Sequence, residues 1–218
     1  MLYVYAFAEP PAVIPDLRGL DGAPLDCERA ADLEAIVSRH VVSSVTPSQS
    51  AILAHAAVVE ALAAANRAVL PARFGGGYAD SDSLRRGMEE RATELAAALA
   101  RVRGCVELGL RVLAPAAEAG LPPSGAEYMR ARLEQRREAE RVAAELHAPL
   151  ASRAREATRT VAATPRLLLS GAYLVARAET AAFTEAVETL QTAHPELAIV
   201  CTGPWPPYSF ATAEAASA

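Results

Sequence analysis

Lysine is absent from all 218 residues; the 21 basic side chains are all arginine. A P-loop needs its lysine on the phosphates. Schiff-base and pyridoxal chemistry need a lysine amine, and a protein kinase needs a lysine on its nucleotide. None of these runs here in its usual form. Cysteine is scarce: Cys27, Cys105 and Cys201 are far apart and form no C-x-x-C pair, which excludes a zinc ribbon and a dithiol redox motif. Aspartate stops at Asp82, amide side chains are limited to one Asn and three Gln, and there is a single tryptophan. No uncharged apolar run approaches the ~20 residues of a membrane span.

What is present is 52% apolar and 22% charged, a globular composition long enough for two small domains. The net charge of −5 argues against nucleic acid or an anionic membrane as the main partner. Arginines between Arg130 and Arg141 alternate with Glu134, Glu138 and Glu140, and that stretch reads as a solvated helix face. The opening "MLYVYAF" has no basic region of the signal-peptide kind, and the cysteines read as reduced thiols, so a soluble cytoplasmic protein is expected.

Period-two patterning predicts a strand over Leu2–Ala8, with Tyr3, Tyr5 and Phe7 on one side. Prolines and glycines from Pro10 to Pro24 mark a loop, and the middle of Asp32–Val42 reads as a second strand paired with the first. Thr46, Pro47 and Gln49 form a helix-start signal for the following alanine-rich helix. Residues 68–74 read as a short edge strand and Gly75–Gly77 as a turn. One helix is expected over 82–101, a strand over 105–115, a linker over 120–125, and a long helix over 126–161 that Pro149 kinks. A strand at 166–176, a helix at 179–194, a strand at 197–202 and a frayed tail complete the order. This order suggests two α+β domains, 1–103 and 104–210 followed by a tail at 211–218, with helices on one face of small sheets. The ferredoxin-like arrangement is the candidate topology.

Tests for chemistry return little. The histidines His40, His55, His147 and His194 hold no i, i+4 pair for a metal. His55 reads as a packed histidine, and His147 and His194 as helix-end residues favoured by the dipole. Glu107, inside a strand, faces the core, or else faces solvent or pairs with an arginine such as Arg111. No serine sits in G-x-S-x-G. "FGGGY" at 74–78 is glycine-rich between a strand and a helix, but Asp80 and Asp82 follow it and would repel phosphate. The segment "CTGPWPPYSF", Cys201 to Phe210, places the tryptophan among prolines. It is either a strap on the chain's own core or a docking site, with Trp205, Tyr208 and Phe210 as anchors.

Several blocks, in order, resemble the gas vesicle accessory proteins of the GvpL/GvpF family: "LYVYAF", "HAAVVEAL", "VLPARFGGGYAD", "VELGLRV", "LSGAYLV" and "HPELAIVCTGPWPPYSF". The resemblance covers nearly the whole chain, and the last block is its most specific part. It implies two domains of modified ferredoxin-like type and a non-enzymatic role without cofactor or metal. It also implies contacts with the hydrophobic gas vesicle shell protein and with other accessory proteins, and a location in the cytoplasm and on gas vesicles. Arg73 and Phe74 in the turn, with His55 on the adjoining helix, are candidate partner contacts. The bland alternative makes Phe74 core and pairs Arg73 with Asp80. The competing function is a small-ligand enzyme or sensor on a ferredoxin-like scaffold, which needs a pocket with convergent polar groups.

Overall fold

A computed structural model describes residues 1–41, 44–115, 124–161 and 166–211. The chain divides into two compact units. The first holds Met1–Cys105 and takes back the chain from Trp205 to the last described residue, Ala211; the second is Val106–Pro204. The expected linker at 120–125 lies largely outside the described residues, as does the tail beyond Ala211.

The first unit carries a sheet of strands β1 (Leu2–Ala8), β2 (Asp26–Ala30), β3 (Leu33–Arg39), β4 (Val69–Pro71) and β5 (Gly77–Tyr78). The strand order is β2-β3-β1-β4, and β5 also pairs with β1. β1 is antiparallel to both neighbours, from Leu2↔Arg39 to Ala8↔Glu34 on one side and Ala6↔Pro71 to Ala8↔Val69 on the other. A bulge between Val4 and Ala6 resets the alternation. Tyr3 and Tyr5 before it and Ala6 and Ala8 after it therefore share one core. This corrects the simple period-two expectation, which put Phe7 with the tyrosines.

Helix α1 (Gln49–Ala65) supplies Val58, Val59, Leu62 and Ala63 to that core. Its cap is Ser48, whose hydroxyl accepts from the Ala51 amide at 3.1 Å, so the helix starts later than the Thr46 signal implied. Helices α2 (Ser81–Glu90) and α3 (Ala92–Val102) replace the single helix expected there. The chain breaks at Arg91, where ψ is 13°. Asp80 opens α2 with a reciprocal capping box to Ser83. All seven residues of β1 are buried, so the sheet is covered on both faces. α2 is clamped to the hairpin by Glu28 of β2. Its buried carboxylate accepts from Arg39 at 2.7 Å, Arg85 at 3.1 Å and Ser81 at 2.5 Å.

The second unit runs β6 (Cys105–Leu113), α4 (Gly125–Ala151), β7 (Glu156–Val161), β8 (Leu167–Ala176), α5 (Thr180–Ala193) and β9 (Ala198–Trp205). Its sheet order is β7-β8-β6-β9, which is compatible with the split βαβ arrangement. Leu108, Leu110 and Val112 pack with Val142, Leu146 and Leu150 of α4 and Phe183 and Val187 of α5. Two expectations fail here. The segment 156–161 is a strand, because its threonines and Val161 suit a pleated edge rather than a helix. The last strand runs through Pro204 to Trp205, which an edge strand tolerates because it need not donate on its open side.

The two sheets share one wiring. In each, the strand before the hairpin lies between the hairpin and a later strand, β4 in the first unit and β9 in the second. In the first unit the helix that would follow β1 is missing. Residues between Ala8 and Asp26 take its place with a loop and one 3-10 turn, Leu20–Gly22, whose Leu20 enters the core.

Candidate functional site

β1, α1 and the turn between β4 and β5 meet at one aromatic cluster. Tyr3 reaches His55, and both rings lie near Phe74, with centroids 5.6 Å, 6.2 Å and 5.8 Å apart. Tyr5 stacks on His55 at 5.6 Å. Each polar atom in the cluster has a partner. His55 Nε2 lies 3.1 Å from the Ala72 carbonyl oxygen, which can only accept, so Nε2 carries the proton. His55 Nδ1 then accepts from the Tyr3 hydroxyl at 2.9 Å. The Tyr3 oxygen in turn accepts from the Gly75 amide at 3.1 Å. Gly75 adopts φ +88° there, a conformation that suits glycine.

A second relay starts at Tyr5. Its oxygen accepts from the Leu20 amide at 2.7 Å and is hydrogen-bonded to the Ser38 hydroxyl at 2.9 Å. Ser38 is in turn hydrogen-bonded to His40 Nε2 at 2.7 Å, and His40 Nδ1 lies 3.9 Å from an Asp21 carboxylate oxygen. Gly19 is required beside it, because a Cβ would collide with the Tyr5 hydroxyl.

Burial drives the electrostatics. It pushes the Tyr3 hydroxyl up to about 12, only partly opposed by the Gly75 amide. It raises Tyr5 as well, and it holds His55, 4% exposed, below its ordinary value although the Ala72 carbonyl pulls the other way. A general base needs a lone pair aimed at a substrate. The only lone pair on His55 is filled by Tyr3. The cluster is therefore built as a packed and satisfied core element, in line with the reading of His55 from sequence. The second unit repeats the device. His147 on α4 pairs through Nδ1 with the buried Tyr173 of β8 at 2.9 Å. Burial, then the charge of Arg159, lowers His147, against the dipole stabilisation expected from its place near the helix end.

Arg73 is exposed at the tip of the turn, and among the described residues its guanidinium has no ion pair. Asp80 is occupied as the cap of α2, so the pairing considered between them does not form. Phe74 is half-buried. In the strap, Pro206 and Pro207 are buried and Phe210 is 2% exposed, while Trp205 is 45% and Tyr208 42% exposed. The Phe210 carbonyl accepts from the Arg101 guanidinium of α3. The deep anchor is thus Phe210 with two prolines, not the tryptophan. Burial pushes the Tyr208 hydroxyl up to about 12, with the Glu60 carboxylate of α1 adding to it.

A cleft of about 230 Å³ is lined by Glu9, Pro10, Pro11, Val13, Asn66 and Arg67, and includes no candidate residue. Among the described residues no group of His, Cys, Asp and Glu could hold a metal, and no helix is long and apolar enough to cross a membrane. Glu107 is half-buried on β6. Sequence reasoning missed Tyr3, Tyr5, Ser38 and His40. The paired tyrosines of β1 were the visible signal; their partners lie up to 72 residues away.

The family model for "Gas vesicle synthesis protein GvpL/GvpF" matches residues 1–212. Gas vesicle protein L of Streptomyces sp. (strain CB03234) is 32% identical, covering 96% of this chain and 92% of its own. Gas vesicle protein F2 of Halobacterium salinarum is 29% identical over 82% of this chain and 76% of its own. In fold, the chain is similar to the crystal structure of gas vesicle protein GvpF from Anabaena sp. PCC7120, with TM-score 0.81 and 19% identity. That likeness covers 100% of this chain and 98% of the other. The GvpF structure from Microcystis aeruginosa gives 0.77 and 21%, with 97% and 99% covered.

Proposed function

The chain belongs to the GvpL/GvpF family of gas vesicle synthesis proteins, and from that premise we propose that it is a non-enzymatic accessory protein of gas vesicle formation. It works in the cytoplasm by contacting the hydrophobic shell protein and other accessory proteins. The observation that carries this reading is the family match across residues 1–212. A second supports it: the side chains best suited to acid–base work, His55 and Tyr3, are spent on each other and on the backbone.

The physical task is to cover apolar surface. A shell subunit not yet in its shell presents contiguous apolar area, which drives aggregation. A partner that covers it reversibly gains roughly 25 cal/mol per Å² removed from water, less the cost of ordering. The half-exposed Trp205 and Tyr208, with the exposed Arg73 of the turn before β5, are the surface assigned to that contact. Phe210 anchors the strap from below, and His55 and Phe74 hold the turn in place.

The test is co-expression of this chain with the shell protein, followed by affinity capture, and deletion of its gene in a vesicle-forming host. Co-purification and loss of floating cells are expected. Absence of co-purification together with normal flotation of the deletion strain would overturn the reading.

A further inference from the structure

The first half of α4 buries nothing. Every residue from Gly125 to Glu138 is exposed, and the contact with the sheet begins at Ala139. At 1.5 Å per residue, about 20 Å of helix lacks a packing partner. An isolated helix of that length is marginal in water. The capping by Ser124, which accepts from the Glu127 amide at 3.2 Å, secures its start.

Its surface is ordered by charge. A helix turns about 100° per residue, which places Ala126, Met129 and Leu133 within about 60° of one another. That strip lies about 120° round the axis from the buried face of Val142, Ala143, Leu146 and Leu150. Met129 is 59% and Leu133 53% exposed. Arg132 and Arg136 border the strip on one side, and Arg130 and Arg137 on the other. Glu127, Glu134 and Glu138 lie beyond Arg130 and Arg137, about 105–150° round the axis from the strip, and Glu140 closes the strip at its C-terminal end. Arg132 is held on its rim by the Tyr128 ring, 5.9 Å from the centroid. Arg136 pairs with Glu140 at 3.0 Å. Among the described residues Arg130 and Arg137 make no ion pair. The intermixed charges of the sequence thus resolve into an apolar seam with a cationic rim.

We propose that the first half of α4 is a docking helix for an acidic amphipathic helix of a partner protein. The seam is as narrow as a coiled-coil contact and too narrow for a helix lying in a lipid surface, which needs a broad apolar face. A second copy is disfavoured, because antiparallel or parallel pairing sets arginine rim against arginine rim. Nucleic acid is disfavoured by the acidic back of the helix and the net charge of −5. A partner helix with leucines along one face and glutamates beside them satisfies both the seam and the rim. This deepens the accessory role proposed above and rests on it.

The test uses the full chain and a synthetic peptide of about 18 residues, long enough to hold a helix. The peptide carries a leucine seam bordered by glutamates; a second peptide has lysines in their place. The acidic peptide is expected to bind at least about tenfold more tightly, and to weaken severalfold as salt rises. The double variant Met129→Glu, Leu133→Glu loses at least about tenfold in affinity. Its melting temperature stays unchanged, since both side chains are exposed. Arg130→Glu with Arg137→Glu reverses the preference toward the lysine peptide. Equal binding of the two peptides, or binding untouched by the seam variant, overturns the inference. So does capture of phosphatidylcholine–phosphatidylglycerol vesicles in place of the peptide, or a dimer that the seam variant dissolves. In a vesicle-forming host the two readings separate. Normal vesicles from the seam variant with no peptide binding sink the docking helix alone, whereas normal flotation of a full deletion sinks the accessory role.

Discussion

Replacing Tyr3 with phenylalanine removes one oxygen and leaves the ring, its packing and its volume in place. That oxygen donates to His55 Nδ1 at 2.9 Å and accepts from the Gly75 amide at 3.1 Å. Without it the His55 lone pair is stranded in a site that is 4% exposed. Leaving such a group unsatisfied costs about 1–3 kcal/mol. The Gly75 amide sits in an exposed turn and can take water, so it adds little. A loss near 2 kcal/mol lowers the melting temperature of a chain of this size by about 4–8 °C. Calorimetry at neutral pH measures it, with capture of the shell protein below the melting range as a companion assay. A melt within about 1 °C of wild type would refute the claim that the hydroxyl satisfies buried partners. Retained stability with lost capture would move the cluster from core to contact surface.

Four further outcomes follow from contacts described above. Acid weakens the fold: burial holds His55 and His147 below the ordinary histidine value, so the unfolded chain takes up protons first. Their contribution is therefore complete above about pH 6.5 and drains away as pH falls from there toward the folded values; denaturant midpoints across that range check it, and a flat profile refutes it. Glu28→Gln removes the charge that Arg39 and Arg85 share, and should cost about 1.5–3 kcal/mol by urea unfolding. Arg141→Ala, whose pairs with Glu138 and Glu145 are exposed, should cost at most about 1 kcal/mol. In the strap, Phe210→Ala should cost about 3–5 kcal/mol, while Trp205→Ala, half-exposed, barely moves the melt and instead weakens partner capture.

The long strands were legible because period-two runs of branched and aromatic residues need no distant information. β2 was not, for its five residues "DCERA" carry three charges, and its hairpin turn uses Ala31 and Asp32 at φ 50° and 57° where Asn-Gly would have announced it. β7 was absorbed into the preceding helix because its polar composition gave no period to end on. Pro149 turned out to sit in the last turns of α4, on an exposed position. The candidate site was legible only in part. His55 could be read as packed from its alanine neighbours, but its hydroxyl partner lies on another element, and no local pattern encodes a contact across 52 residues. The exposure of Trp205 was equally hidden, since residue type alone favours burial and the deep position went to Phe210.

The return of the chain from Trp205 to the first unit sets an order of events during synthesis. When Cys105 leaves the ribosome, Arg101 still waits for the carbonyl of Phe210, which is about a hundred codons away. The middle unit is complete in sequence before the outer one, so the half of the molecule that begins first is sealed last. A chain ending at Pro204 would hold every residue of the Val106–Pro204 unit, while the Met1–Cys105 unit lacked its latch.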